Sequence, residues 1–142
     1  MLWKGIIKGR PVPKKNNPQI ILTPRKNAPK GIPRNQLYKF VQPYAVPSKT
    51  YKKYEKQAMK QIEPPQEPIA EPCRLVARYY LPDRRWWPDL VGLLQGTGDL
   101  LEEAQVIADD KYIRSFDGSR IVELDKENPR AELEIYPAED GR

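Results

Sequence analysis

The sequence contains no histidine, and Cys73 is the single cysteine among its 142 residues. Without histidine the chain cannot form the Ser-His or Cys-His pair of a nucleophilic enzyme. One cysteine allows neither an intramolecular disulfide nor a thiolate cluster for zinc. A divalent-metal site in this protein would therefore use carboxylate and backbone oxygens, which are the ligands that Mg²⁺ and Mn²⁺ prefer.

Long apolar runs are also missing. No stretch approaches the roughly 20 apolar residues of a membrane-spanning helix, and the N-terminus has no apolar segment followed by a signal-peptide cleavage site. We therefore expect a cytoplasmic protein with no membrane partner. A chain of 142 residues fits one domain of ordinary size, so residues 1–142 are expected to fold as a single unit.

Acidic residues are almost absent from the first part of the chain. Residues 1–60 hold 15 Lys and Arg against one acid, Glu55, whereas residues 61–142 hold 10 against 18. A formal charge of +14 is thus followed by one of −8. A basic segment of this density attracts polyphosphate, because each neutralised phosphate releases condensed counterions. Nucleic-acid binding is therefore the first functional expectation.

The prolines divide the basic part of the chain. Eight of them lie between Pro11 and Ser48, which forbids a long helix and predicts an irregular basic arm over about residues 10–48. An extended segment at residues 19–22 is expected inside this arm.

The remaining pattern predicts an α+β domain in which a mixed β-sheet packs with about two helices. Ser48 is a suitable N-cap for a helix over residues 49–62, and Asp89 begins a second helix that runs to residue 103. Strands are predicted at residues 2–8, 73–81, 119–124 and 131–136.

Two features of these helices have more than one interpretation. The first helix presents Lys52, Lys53, Lys56 and Lys60 on one face, which fits either a solvated face or a phosphate-binding one. The second contains Gly92, Gly96 and Gly98, and each weakens a helix by up to about 1 kcal/mol relative to Ala. Glycines at this density predict a close neighbour, which is either the sheet or a second subunit.

Acidic residues stand at both ends of the second helix. The helix from Asp89 rises about 22 Å, and the next seven residues, 104–110, span about 23 Å when extended. If the chain reverses near residue 103, Asp110 returns beside the helix N-terminus. Converging carboxylates bind a hard cation that activates water against a phosphodiester. The alternative interpretation is that Asp89 only caps the helix and the Asp109-Asp110 pair lies in a solvated turn.

These residues resemble the RusA-type Holliday junction resolvases, which are dimeric, Mg²⁺-dependent endonucleases. The family block of Arg-Arg, a spacer, Asp-Leu-Asp-Asn-Leu, a Lys three residues later and a final Asp-Asp is similar to residues 84–95 (RRWWPDLVGLLQ) and 106–113 (VIADDKYI). Residues 9–15 (GRPVPKK) resemble the family's Gly-x-Pro-x-Pro-Lys-Lys motif, and residues 48–55 (SKTYKKYE) resemble the start of its first helix. The similarity covers most of the chain in the same order.

The resemblance implies a RusA-like fold, a homodimer, and branched DNA as the partner. It implies that Asp89, Asp109 and Asp110 are catalytic and that Asp89 and Asp110 hold Mg²⁺ or Mn²⁺. The side chains expected to contact DNA are Lys14, Lys15, Lys49, Lys52, Lys53, Arg84 and Arg85.

The sequence departs from the family at Val91, Gly92 and Gln95, which stand where the family has Asp, Asn and Lys. Val91 and Gln95 are four residues apart, so one helical face has lost a carboxylate and a cation together. Two other acids are candidate replacements as metal ligands. Asp99 lies one turn further along that face, although about 12 Å from Val91 on an ideal helix. Asp117 precedes a glycine, so a turn-forming role is its alternative.

Three functions fit this sequence. The first is a structure-selective endonuclease that resolves four-way junctions in recombination and repair. The second is a non-catalytic junction-binding protein on the same scaffold, and the third is an unrelated basic DNA- or RNA-binding module. Trp86 and Trp87 also have two interpretations, since they either stack on unpaired bases or belong to the core or a dimer interface.

Overall fold

The computed structural model describes residues 1–14, 19–24, 41–46 and 48–139, with side chains described for residues 1–14 and 48–139. Its strands are β1 (Trp3–Lys8), β2 (Gln19–Pro24), β3 (Val41–Val46), β4 (Cys73–Leu81), β5 (Ile113–Ser115), β6 (Arg120–Leu124) and β7 (Arg130–Pro137). Its α-helices are α1 (Lys49–Gln61) and α2 (Leu90–Glu103), and a 3₁₀ turn covers Asp110–Tyr112.

Five of the strands form one mixed sheet in the order β1-β7-β4-β5, and β6 also pairs with β4. The strand β7 runs antiparallel to both β1 and β4. The short strands β5 and β6 run parallel to β4, the first at its beginning and the second at its end. A parallel pair needs a crossover connection, and α2 provides it between β4 and β5. The predicted α+β class with a mixed sheet and two helices is confirmed, and the described residues form a small single domain.

The hydrophobic core lies between this sheet and the helices. Alternation along β4 places Leu75, Ala77 and Tyr79 in the core, as the sequence predicts, and leaves Arg74 and Arg78 half-buried on the other face. The core cluster joins these residues to side chains of both helices, including Ala58 and Leu93. The buried Tyr79 hydroxyl pairs with Thr97 Oγ1 of α2 at 2.6 Å, so the polar atoms at this contact are satisfied.

The arm contains a strand at residues 19–24, which confirms the extended segment predicted at residues 19–22, and a second strand at residues 41–46, which was not predicted. The strands β2 and β3 form a two-stranded antiparallel sheet, in which Leu22 pairs with Pro43. Each strand of such a pair has one free edge, and an edge tolerates proline because no ladder hydrogen bond is required there. Lys15 and the rest of the predicted arm, residues 15–18, 25–40 and 47, lie outside the described residues.

The glycines of α2 have a close neighbour within the same chain. A Cβ at Gly92 would lie 2.9 Å from Pro13 Cβ, and a Cβ at Gly96 would lie 3.2 Å from Tyr51 Cε2. The Lys14 backbone N–H also donates to the Gly92 carbonyl at 3.4 Å. The neighbour is therefore the start of the arm together with α1, and neither the sheet nor a second subunit is needed to explain these two glycines.

Within the described ranges, no helix is both long and apolar enough to cross a membrane.

Candidate functional site

A groove of about 510 Å³ runs between α2 and the segment that follows it. Val91, Gln95 and Gly98 line one side, at the spacing of four and three residues that defines a single helix face. The opposite side is formed by Asp110, Ile113 and Phe116. Val91 and Gln95, two of the positions at which the sequence differs from the resolvase motif that it resembles, thus lie in the same groove as Asp110, one of the predicted catalytic acids.

Three carboxylates meet where this groove approaches the end of α2. One oxygen from each of Glu102, Asp109 and Asp110 lies within 4.8 Å of the other two. We call this set the acidic cluster. Glu102 Oε1 accepts the Asp110 backbone N–H at 3.0 Å, and Asp109 Oδ1 accepts the Lys111 N–H at 2.8 Å, which caps the 3₁₀ turn. Backbone hydrogen bonds therefore hold two of the three side chains in place.

The carboxylates of the acidic cluster have no ion-pair partner among the residues that the structure describes. Burial raises the pKa of Asp110 above its ordinary value, and the charges of Glu102, Asp109 and Asp99 raise it further. A hard divalent cation relieves such repulsion, and carboxylate oxygens are its preferred ligands. The acidic cluster therefore fits Mg²⁺ or Mn²⁺.

Asp89 lies outside the acidic cluster. It is exposed and caps α2, since its Oδ2 accepts the Gly92 N–H at 3.0 Å. Thirteen residues separate it from Glu102, which is about 20 Å along a helix. The structure brings Asp109 and Asp110 together as predicted, but the third carboxylate beside them is Glu102 and not Asp89.

Asp110 lies near the end of α2, away from Asp89, because the chain turns tightly after this helix. Gln105 adopts a positive φ of 62°, and the Val106 N–H donates to the Leu101 carbonyl at 2.9 Å. These are the marks of a Schellman motif, which reverses the chain within two residues. Val106 and Ile107 are buried directly after the turn. The chain consequently reaches Asp110 at the last turn of α2, whereas an extended return would have brought it to the first.

The two candidate replacement ligands do not join the acidic cluster. Asp99 forms an ion pair with Lys14 Nζ. Asp117 is exposed in the turn between β5 and β6, where its carbonyl accepts a hydrogen bond from Arg74 Nη1 at 3.0 Å. Its turn-forming role is the interpretation that this geometry fits.

The predicted DNA-contacting side chains are mostly on the surface. Lys49, Lys52 and Lys53 are exposed at the start of α1, and Arg84 and Arg85 are exposed on the loop after β4. The lysine face of α1 is open to solvent, which agrees with both of its interpretations. Lys14 is the exception, because it is half-buried and held by Asp99.

Sequence reasoning missed Glu102, although a signal was present. Glu102 lies four residues after Gly98 and seven after Gln95, so helical spacing alone places it on the groove face.

The structure also decides one alternative for the tryptophans: Trp86 is 76% exposed and Trp87 is 51% exposed, so neither is a core residue.

Two comparisons with known proteins found no relative of this chain. No protein-family model matches the chain, and no curated protein matches it significantly.

Proposed function

We propose that this protein is a Mg²⁺-dependent endonuclease that cuts branched DNA, with the four-way junction as its substrate. The observation that carries the proposal is the acidic cluster, in which three carboxylates converge and none forms an ion pair with a cation of the described part of the chain. The cluster adjoins an open groove in a chain whose first sixty residues are strongly basic. The basic surface supplies affinity for the phosphate backbone, and the acids supply the site of cleavage.

The residues of the acidic cluster have separate tasks. Glu102 Oε1 and Asp109 Oδ1 are engaged by backbone N–H groups, which leaves the second oxygen of each carboxylate for a cation. Burial and the neighbouring acids raise the pKa of Asp110, and a bound cation would favour its ionised form. Glu102, Asp109 and Asp110 would hold the divalent ion, which would supply Lewis-acid activation of a phosphodiester and of a water nucleophile. The exposed lysines of α1 and Arg84 and Arg85 hold DNA phosphates.

The choice of a junction as substrate rests on the resemblance to the RusA-type resolvases together with symmetry. A four-way junction offers two equivalent strands, which a homodimer with two acidic clusters would cut in the same way. The function that we propose is thus that of a dimeric junction-resolving enzyme in recombination and repair.

The test is cleavage of a synthetic four-way junction in Mg²⁺ and in Mn²⁺, compared with a linear duplex of the same sequence at equal salt. We expect nicking of the junction by the natural chain and none by Asp110→Asn. Asp117→Asn is the matched control and should cleave normally, because Asp117 lies outside the acidic cluster. Cleavage by Asp110→Asn would refute the mechanism. Binding of the same two DNAs tests the third function, because an unrelated basic DNA- or RNA-binding module would have equal affinity for junction and duplex.

One observation favours a second candidate, a junction-binding protein without catalytic activity. Val91 and Gln95 present neutral side chains to the groove that Asp110 lines. The double variant Val91→Asp/Gln95→Lys restores the family residues there. Cleavage by the double variant alone would support this candidate, whereas an active natural chain would reject it.

A further inference from the structure

A second cavity lies on another part of the surface. It measures about 380 Å³ and is enclosed by the start of the arm, the start of α1 and the loop after β4. Arg10, Pro13, Thr50 and Trp86 are among its lining residues. None of the residues of the acidic cluster or of the groove beside it lines this cavity.

Trp86 is an unusual lining residue because its side chain is 76% exposed. An indole ring in water forgoes a large burial gain, and exposed aromatic rings are common where a protein stacks on a ligand. The backbone of Trp86 has a positive φ of 55°, a conformation that L side chains rarely adopt. The ring therefore stands at the cavity without packing into the core.

The loop that carries Trp86 is fastened to the arm. Arg10 Nη2 donates to Asp83 Oδ2 at 2.7 Å, and Arg10 Nη1 donates to the Arg85 carbonyl at 3.1 Å. Asp83 Oδ1 in turn accepts the Arg85 N–H at 2.9 Å. These bonds tie Arg10 to the loop that carries Trp86, and both residues line the cavity.

The charge around the cavity suits a phosphate. The Arg10 guanidinium has five N–H donors, and the bonds above use only part of them. Arg84 is exposed on the same loop as Trp86, and Lys49 is exposed next to the lining residue Thr50. Asp83 is the acid that pairs with Arg10, and hydrogen bonding from Arg10 holds the pKa of Asp83 below its ordinary range. A ligand with an aromatic face and a negative charge matches both features.

We propose that this cavity binds one unstacked nucleotide of single-stranded DNA, with its base on the Trp86 ring and its phosphate near Arg10. Stacking is tolerant of sequence because every base has an aromatic face. The proposal deepens the proposed function and rests on it for the choice of DNA, since a branch point is where paired strands open. It assigns recognition of the open strand to a site separate from the acidic cluster.

The test uses the full chain and a fluorescently labelled oligo-dT in EDTA, so that no cleavage occurs. By anisotropy we expect Trp86→Ala to weaken binding about tenfold or more and Trp86→Phe to retain most of it. Trp87→Ala is the matched control, because Trp87 is exposed beside Trp86 but does not line the cavity, and it should bind within about twofold of the natural chain. Unchanged binding by Trp86→Ala, or an equal loss in Trp87→Ala, would overturn the proposal.

A stability measurement separates ligand binding from a structural role. Glycine adopts a positive φ without strain, so Trp86→Gly should unfold at the same temperature as the natural chain or at a higher one, while its oligo-dT binding falls. A lower melting temperature would assign Trp86 to packing and overturn the proposal. Sedimentation of Trp86→Ala gives the other negative outcome, because conversion of a dimer to a monomer would identify Trp86 as a subunit contact.

The two proposals fail in different ways. If the chain binds oligo-dT through Trp86 but never cleaves a junction, the nucleotide site stands and the endonuclease does not. If the chain cleaves junctions and Trp86→Ala changes neither binding nor cleavage, the reverse holds.

Discussion

Two faces of the same helix, α2, have different relations to the rest of the molecule. The face with Gly92, Gly96 and Asp99 is covered by the start of the arm and by α1, at distances that leave no room for a Cβ at Gly92. Its polar groups are paired: the carboxylate of Asp99 binds Lys14, and the carbonyl of Gly92 accepts the Lys14 N–H. This face is used for folding.

The groove face is the opposite case. Val91 is 73% exposed. At the other end of this face Glu102 meets two further carboxylates, and within the described ranges it forms no ion pair. A fold gains nothing from like charges held together, since their mutual repulsion opposes it. Asp99, which serves the fold, has a cation beside it, whereas Glu102 and Asp109 accept only backbone N–H groups and Asp110 is repelled by both, so that an ion would relieve the repulsion.

The largest expected effect concerns Glu102 and its neighbour Glu103. Glu102→Gln removes one charged ligand while keeping the shape, so the Mg²⁺ concentration for half-maximal junction cleavage should rise at least about tenfold. Glu103→Gln removes the same charge one residue away, outside the acidic cluster, and should leave that concentration nearly unchanged. Titration of Mg²⁺ in the cleavage assay measures both. Equal responses would mean that net charge matters and the groove face is not special.

Features that depend on neighbouring residues are predicted from the sequence, whereas contacts between distant residues are not. Helix caps at Ser48 and Asp89 follow from local chemistry, and both are present, with Ser48 Oγ accepting the Tyr51 N–H at 3.1 Å. The alternation in β4 is equally local. The cover over Gly92 and Gly96 was not predicted correctly, because it depends on Pro13 and Tyr51, which are distant in sequence.

The acidic cluster shows the same limit. The Asp109-Asp110 pair is recognisable in the sequence, but the third carboxylate of the acidic cluster depends on where the chain turns after α2. A glycine usually marks a Schellman turn, and here Gln105 takes the positive φ instead. With no glycine to signal the reversal, an extended return to Asp89 was the natural expectation. The strand β3 and its pairing with β2 were missed because prolines conceal strands that form only edge pairs.

Glycine-to-alanine substitutions test the two faces directly and should have opposite signs. A Cβ at Gly92 meets Asp89 Oδ1 at 2.7 Å and Pro13 Cβ at 2.9 Å, so Gly92→Ala should lower the free energy of unfolding by about 1–3 kcal/mol. A Cβ at Gly98 meets only Ile113 Cδ1, at 3.8 Å, so Gly98→Ala should raise it by up to about 1 kcal/mol through helix propensity. Urea denaturation measures both values. Destabilisation by both variants would show that the groove face is packed as tightly as the covered one.

The smallest expected effect is the pH dependence of stability at Asp110. Its pKa is raised in the folded state, so its ionised form costs folding free energy, and Asp110→Asn should be slightly more stable than the natural chain near neutral pH, by at most about 1 kcal/mol for an exposed group. This advantage is fully present above the raised folded pKa. It disappears as the pH falls through that value towards the ordinary aspartate pKa, where both states become protonated. Subtracting the two unfolding free energies at each pH isolates the effect, since other groups cancel.

Saturating Mg²⁺ should reverse the order of the two stabilities at neutral pH, because the ion stabilises the folded chain through the carboxylate that the variant lacks. A natural chain that is the more stable of the two without Mg²⁺ would show that Asp110 has a fold-serving partner, as Asp89 and Asp99 have, and would remove the contrast between the two faces.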